Sequence, residues 1–253
     1  MLLYRSVVLV RCYIALTTMN LAFDVGYTSL FDSFASRKLQ KLVLFENFNQ
    51  QYPLSDLSWC PSFRTPKSDV SRAVANASLN LEHLSASFIV DASYFFDARE
   101  PSWSWSRLVS LTLTSRLLTP HESPMDVDNM LQAAASAAMK MPNLDILEIW
   151  NGQDGLAMLF RYQLTGERQP AVITCRGTWE FVLQPPVVQA WEAVARKRGG
   201  NGSVIVKEVL DSTIIKSYGD AIHHLRLLNP VMRPVSLQQI RLEHRVREGA
   251  YKW

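Results

Sequence analysis

Residues 108–114, Leu108-Val109-Ser110-Leu111-Thr112-Leu113-Thr114, and residues 144–150, Leu144-Asp145-Ile146-Leu147-Glu148-Ile149-Trp150, carry one apolar cadence, Leu-x-x-Leu-x-Leu. It stands also at Leu39, Leu42 and Leu44, at Leu81, Leu84 and Ala86, and at Ile222, Leu225 and Leu227. The last two positions are two residues apart. That is the side-chain period of a β-strand, so both reach one face of a sheet. The first position, three residues earlier, seats the turn that leads into the strand.

This is the spacing of leucine-rich repeats, which coil strand and helix so that each unit buries its apolar face against its neighbours. The first positions are 42, 27, 36 and 78 residues apart, uneven beside the roughly 20–29 of a regular array. The expected fold is therefore α/β: an irregular leucine-rich-repeat-like solenoid with a largely parallel sheet and helices on its outer face. The longest gap must hold elements of its own. Within it, 156–164 and 171–179 alternate around a turn containing Gly166, which predicts a β-hairpin insertion at about 156–179. Helices are predicted at 69–77, at 126–140 and, after Pro185-Pro186, at 187–198, where Gly199-Gly200 ends the run. A further strand is expected at 203–210 and a last helix at 236–245. Residues 52–67 and 97–104 read as loops. Residues 37–253 form one domain on this reading. Residues 1–36 are a separate segment, either a buried first strand or helix or a terminus outside the ordered fold.

The chain has 253 residues, 48% hydrophobic and 19% charged, the balance of a globular protein. A net charge of +3 does not by itself argue for a nucleic-acid partner. Residues 191–253 nevertheless hold 11 Lys and Arg against 6 Asp and Glu. Cys12, Cys60 and Cys175 are odd in number and far apart, which predicts a reduced, intracellular chain, cytoplasmic or nuclear. Arg5 and Arg11 interrupt the apolar N-terminal stretch, so neither a membrane span nor a signal peptide is expected.

No catalytic signature emerges. Gly152-Gln153-Asp154-Gly155 lacks the spacing and the following lysine of a phosphate loop. His223-His224, read on a strand, would face opposite ways and could not share a metal. His83 and His121 stand alone. Asp91 and Asp97 flank Tyr94-Phe95-Phe96 and read as a loop over the core. No enzyme, cofactor or metal is expected. Trp103, Trp105, Trp150 and Trp179 fall at or near strand ends. Exposed there, they would anchor a protein partner; buried, they would fill an irregular core. The cluster Arg196-Lys197-Arg198 is either the solvated end of a helix or a contact for nucleic acid.

Residues 39–49, 143–152, 178–180 and 217–240 together resemble a domain of unknown function in filamentous ascomycete fungi, whose members often begin with an F-box-like helical module. The resemblance spans about 39–243 and implies no catalytic residues. Residues 1–36 hold no proline and no Leu-Pro-x-Glu-Ile helix start. The resemblance thus implies the substrate-recognition half of such a protein without its adaptor-docking half. The expected function is a non-catalytic protein-interaction module, and through the resemblance the target-binding half of an F-box-type ubiquitin ligase receptor. The alternative is a nucleic-acid-associated protein using its basic C-terminal region. Co-purification should show no binding of a Skp1-type adaptor by this chain alone. Low-micromolar binding would contradict that expectation.

Overall fold

The computed structural model describes residues 11–17, 39–47, 66–166 and 168–247. The expected loop at 52–67 falls almost wholly outside them, as does Cys60. Among the described residues there are eight strands: β1 (Arg11–Thr17), β2 (Lys41–Asn47), β3 (His83–Asp91), β4 (Ser110–Thr114), β5 (Ile146–Gln153), β6 (Leu156–Gln163), β7 (Ala171–Gly177) and β8 (Ser203–Val209). They form one open sheet whose spatial order is the order along the chain. Neighbours from β1 to β5 are parallel, β6 is antiparallel to both β5 and β7, and β7 and β8 are parallel again. The N-terminal segment therefore contributes a first strand beside β2, and the expected hairpin continues the main sheet.

The cadence explains the register. Leu42, Leu84, Leu111 and Leu147 are successive lateral partners, followed by Tyr162 and Ile173. A second row runs Leu44, Ala86, Leu113, Ile149, Phe160 and Cys175. Because side chains alternate across the pleat, both rows reach one face, and every member is buried. The lead-in turns stack as well: Glu82 N donates to Gln40 O at 2.8 Å, Val109 N to Glu82 O at 2.7 Å and Asp145 N to Val109 O at 2.8 Å. Below these turns lie the buried first positions, Leu39, Leu81, Leu108 and Leu144.

Four helices cover this face: α1 (Ser68–Ala77), α2 (Ala92–Asp97), α3 (Pro124–Ala138) and α4 (Pro185–Lys197). Proline in the first turn starts α3 and α4. The α2 helix lies where a loop was expected. The Asp91 carboxylate accepts from Ser93 N at 2.9 Å and caps it, burying Phe95 and Phe96.

Two more helices, α5 (Tyr218–Leu225) and α6 (Pro234–Arg247), lie on the opposite face, which corrects the expectation that helices occupy the outer face alone. The fifth copy of the cadence is also corrected, since Ile222 and Leu225 belong to α5 and not to a strand. A Leu-x-x-Leu interval fits one helical turn as well as a strand lead-in. Tyr218, Ala221, Ile222 and Leu225 recur at helical spacing and are buried together. Ser217 settles the choice by capping, accepting from Asp220 N at 3.1 Å. These residues meet Trp150, Ala157 and Leu159 from β5 and β6, with Phe45 and Phe88. Phe88 reaches this face because β3 breaks register between Ala86 and Asp91, with Phe88 at φ 67°. Its ring then stands 5.4 Å from Phe45, 5.1 Å from Trp150 and 5.7 Å from Tyr218, edge to face in each pair.

Three outcomes test this packing. Leu147→Ala should cost about 2–5 kcal/mol in denaturant unfolding. Gly152 lies under α5, and an added Cβ would stand 2.3 Å from Ala221 Cβ. Gly152→Ala should therefore cost about 1–3 kcal/mol by overpacking. Burial pushes the Cys175 thiol from 9.0 up to about 12, against the pull of Lys207, and the Tyr162 hydroxyl from 10.0 up to about 12, against Arg198. The unfolded chain releases both protons first. Unfolding free energy should hold below about pH 9 and fall as pH rises toward 12.

Candidate binding face

The pleat that sends the leucine rows one way sends a polar row the other: Ser85, Thr112, Glu148, Arg161 and Thr174 are successive lateral partners on β3 to β7. All five are buried. Glu148 is fully enclosed and gathers donors from three directions. Arg161 Nε donates to its Oε1 at 2.8 Å and Thr112 Oγ1 to its Oε2 at 3.1 Å. From the segment after α5, Leu228 N donates to Oε1 at 2.9 Å and Asn229 N to Oε2 at 3.3 Å. Asn229 Nδ2 adds a bond to Thr112 Oγ1 at 3.1 Å, and Arg161 Nη2 donates to Arg226 O at 2.5 Å. A buried carboxylate is tolerable only when so surrounded. Residues 226–229 are thereby pinned across the middle of the sheet.

Beside this anchor, positive charge collects. On β7, one residue pair along from Arg161, Arg176 reaches Glu208 of β8 through Nη1 at 2.7 Å. Its Nε is buried without a hydrogen-bond partner among the described residues. Arg226 follows α5 in the left-handed region, φ 54° and ψ 54°, with its side chain exposed. His223 is exposed and His224 half-buried in the last turn of α5, their rings 4.9 Å apart. Arg241 of α6 is held by Asp220, Nε to Oδ1 at 3.0 Å. Burial, and after it the Arg241 charge, holds both histidines below the usual 6.5.

The four tryptophans have different fates. Trp105 and Trp150 are fully buried, so neither offers a surface to a partner. Trp105 Nε1 donates to Ser78 Oγ at 2.7 Å, and Trp150 sits at the centre of the aromatic cluster under α5. Trp103 and Trp179 are half-buried against the helical side of the core. Trp103 packs edge to face on Trp105 at 6.1 Å, ahead of β4, and Trp179 follows β7 at the other end of the sheet. His223 and His224 are on a helix, which corrects their reading as strand residues. His83 Nδ1 lies 2.8 Å from Ser110 Oγ. Asp91 and Asp97 do not pair: Asp91 is taken up by Ser93, Ser115 and Arg116 N. In the basic cluster at the end of α4, Lys197 Nζ donates to Met139 O at 2.8 Å, while Arg196 and Arg198 stand 3.6 Å from Glu192 and Asp145.

Glu148, Arg161, Arg176 and Arg226 escaped the sequence reading. The available signal was a charged residue set between apolar neighbours within a strand, as in Leu147-Glu148-Ile149 and Phe160-Arg161-Tyr162. Glu148→Gln removes one member of a buried pair and should cost about 3–5 kcal/mol. In hydrogen exchange, amides of residues 226–247 should lose protection before those of β4.

Among the described residues no helix is long and apolar enough to cross a membrane. No curated protein and no solved structure matches the chain. A sequence profile does match it, over residues 34–233, most of its length and the span that holds β2 to β8, α1 to α5 and the Glu148 anchor. The chain belongs to the family of unknown function DUF6546.

Proposed function

We propose that this chain is a non-catalytic protein-interaction module, built as an irregular leucine-rich-repeat-like solenoid. The observation that supports this reading best is the strand order. Eight strands follow one another laterally in chain order, with lead-in turns stacked by repeated hydrogen bonds. Such stacking lengthens the molecule along one axis and gives it extended surface relative to its mass. The segment 226–233 and α5 occupy the second face over the central strands, so the surface left for a partner is the rim beyond them.

That rim includes β8, the last strand, with Val204, Ile205 and Val209 exposed. Among the described residues one edge of β8 has no neighbouring strand, and an exposed apolar edge strand invites pairing. Exposed Val182 and Ile214 and half-buried Trp179 belong to the adjoining segments. The narrower form of the proposal, drawn from the family resemblance, makes the chain the target-binding half of an F-box-type ubiquitin ligase receptor.

A proximity-labelling and pull-down survey with the full chain tests the reading. Ile205→Lys together with Val209→Asp should abolish capture of the specific partners without lowering the melting temperature. Generic duplex DNA is the control. Steep loss of DNA binding with rising salt, without any protein partner, would favour the nucleic-acid alternative instead.

A further inference from the structure

We propose that Asn201, in the turn between α4 and β8, is a site of spontaneous modification, where its side-chain amide is exchanged for a carboxylate through a cyclic imide formed with Gly202. The site goes beyond the partner-binding reading and does not depend on it.

The turn follows from its glycines. Gly199 N donates to Arg196 O at 3.0 Å and Gly200 N to Ala195 O at 2.9 Å, so the pair closes the last turn of α4. Gly199 and Gly202 both lie at positive φ, 78° and 85°, and a Cβ added to either would meet open space. Glycine adopts such angles without steric penalty. Between them, Asn201 is exposed. Its own N–H donates to Gln169 O at 3.4 Å, and Gly202 O accepts from Ala171 N at 3.0 Å. Gly202 N donates to no group among the described residues.

These are the conditions for closing an imide. Gly202 N loses its proton and bonds to Asn201 Cγ. The Cγ–Nδ2 bond breaks, and Nδ2 leaves as ammonia with that proton. A free N–H, a following residue without a side chain and solvent to move the proton all favour the attack. Water then opens the imide at either carbonyl. One opening leaves aspartate, the other isoaspartate, whose backbone is longer by a methylene. Either product lowers the net charge of +3 by one. The longer backbone falls between Asn201 N and Gly202 O, the two groups that tie this turn to Gln169 and Ala171. It therefore loosens the start of β8.

The chain carries its own comparison, because Asn151-Gly152 is the same dipeptide. There the asparagine is buried, its Nδ2 donates to Leu118 O at 3.3 Å and its Oδ1 accepts from Gly152 N at 2.9 Å. Both residues stand in the β5–β6 ladder opposite Met158 and Ala157, with Gly152 against Ala221 of α5. Ring closure there would require the strand to leave the ladder. At Asp154-Gly155 the nucleophile is occupied, since Gly155 N donates to Ile215 O at 2.7 Å. Only the tertiary surroundings separate Asn201 from Asn151.

The test incubates the full chain, folded and in urea, in warm, mildly alkaline buffer. Mass spectrometry follows both Asn-Gly peptides, and an isoaspartyl methyltransferase assay marks the longer product. In the folded protein Asn201 should yield both products, whereas Asn151 must await local opening and should react about tenfold more slowly or less. In urea the two rates should converge. Asn201→Gln could close only a larger ring, so it should abolish conversion here without changing the melting temperature. In the isoaspartyl form the Ala171 amide should lose hydrogen-exchange protection. The proposal is overturned if Asn151 converts as fast as Asn201 in the folded protein, if Asn201 converts in urea but not when folded, or if aspartate forms without isoaspartate.

Discussion

Enclosing the Glu148 carboxylate is the constraint on which the second half of the structure depends. A charge with no exposed surface must be met by donors from every side, or the fold would lose more than the contact is worth. The sheet provides Thr112 and Arg161. The remaining donors come from the backbone at Leu228 and Asn229, eighty residues further along. Once that segment is fixed across β4 to β6, α5 must land on Trp150 and Gly152, and the aromatic cluster with Phe45, Phe88 and Tyr218 closes beneath it. The same geometry sets Arg226 in its strained conformation and leaves its guanidinium at the rim.

The two faces of the sheet follow different logics. On one, leucines repeat at the strand period and stack from strand to strand, so helices α1 to α4 meet a nearly uniform apolar surface. Loss of one leucine there is a local cavity. On the other, polar residues alternate with the leucines by necessity, and burying them requires specific hydrogen bonds. That face is therefore closed by one particular segment of chain. The break in β3 at Phe88 serves this closure, since it turns an aromatic ring toward the second face.

This arrangement bears on the proposed function. In an open repeat array the face away from the helices is free for partners. Here its centre is filled by the chain itself, and of the exposed apolar residues of β8 only Val204 lies on this face, Ile205 and Val209 having the parity of the leucine rows. The half-buried Trp179 and the valines of β8 are apolar, whereas Arg176, Arg226 and the histidines are basic.

Much of the first face was legible in the residues. The cadence at Leu84, Leu111 and Leu147, Pro185 in the first turn of α4, and the alternation around Gly166 each carry a local signal strong enough to identify an element. The α2 helix was not legible, because Asp91 reads equally as a loop residue until its carboxylate is seen to cap Ser93. Nor was α5, because Ile222-x-x-Leu225 satisfies a strand lead-in and a helical turn alike. Of the candidate tryptophans, position near a strand end was visible and burial was not. By itself the sequence determined the period and therefore the rows, since alternation is a property of neighbouring residues along a strand. Only the tertiary structure decided what covers the second face. That choice turns on one carboxylate finding backbone donors far away in the chain, and no local pattern encodes a contact of that range.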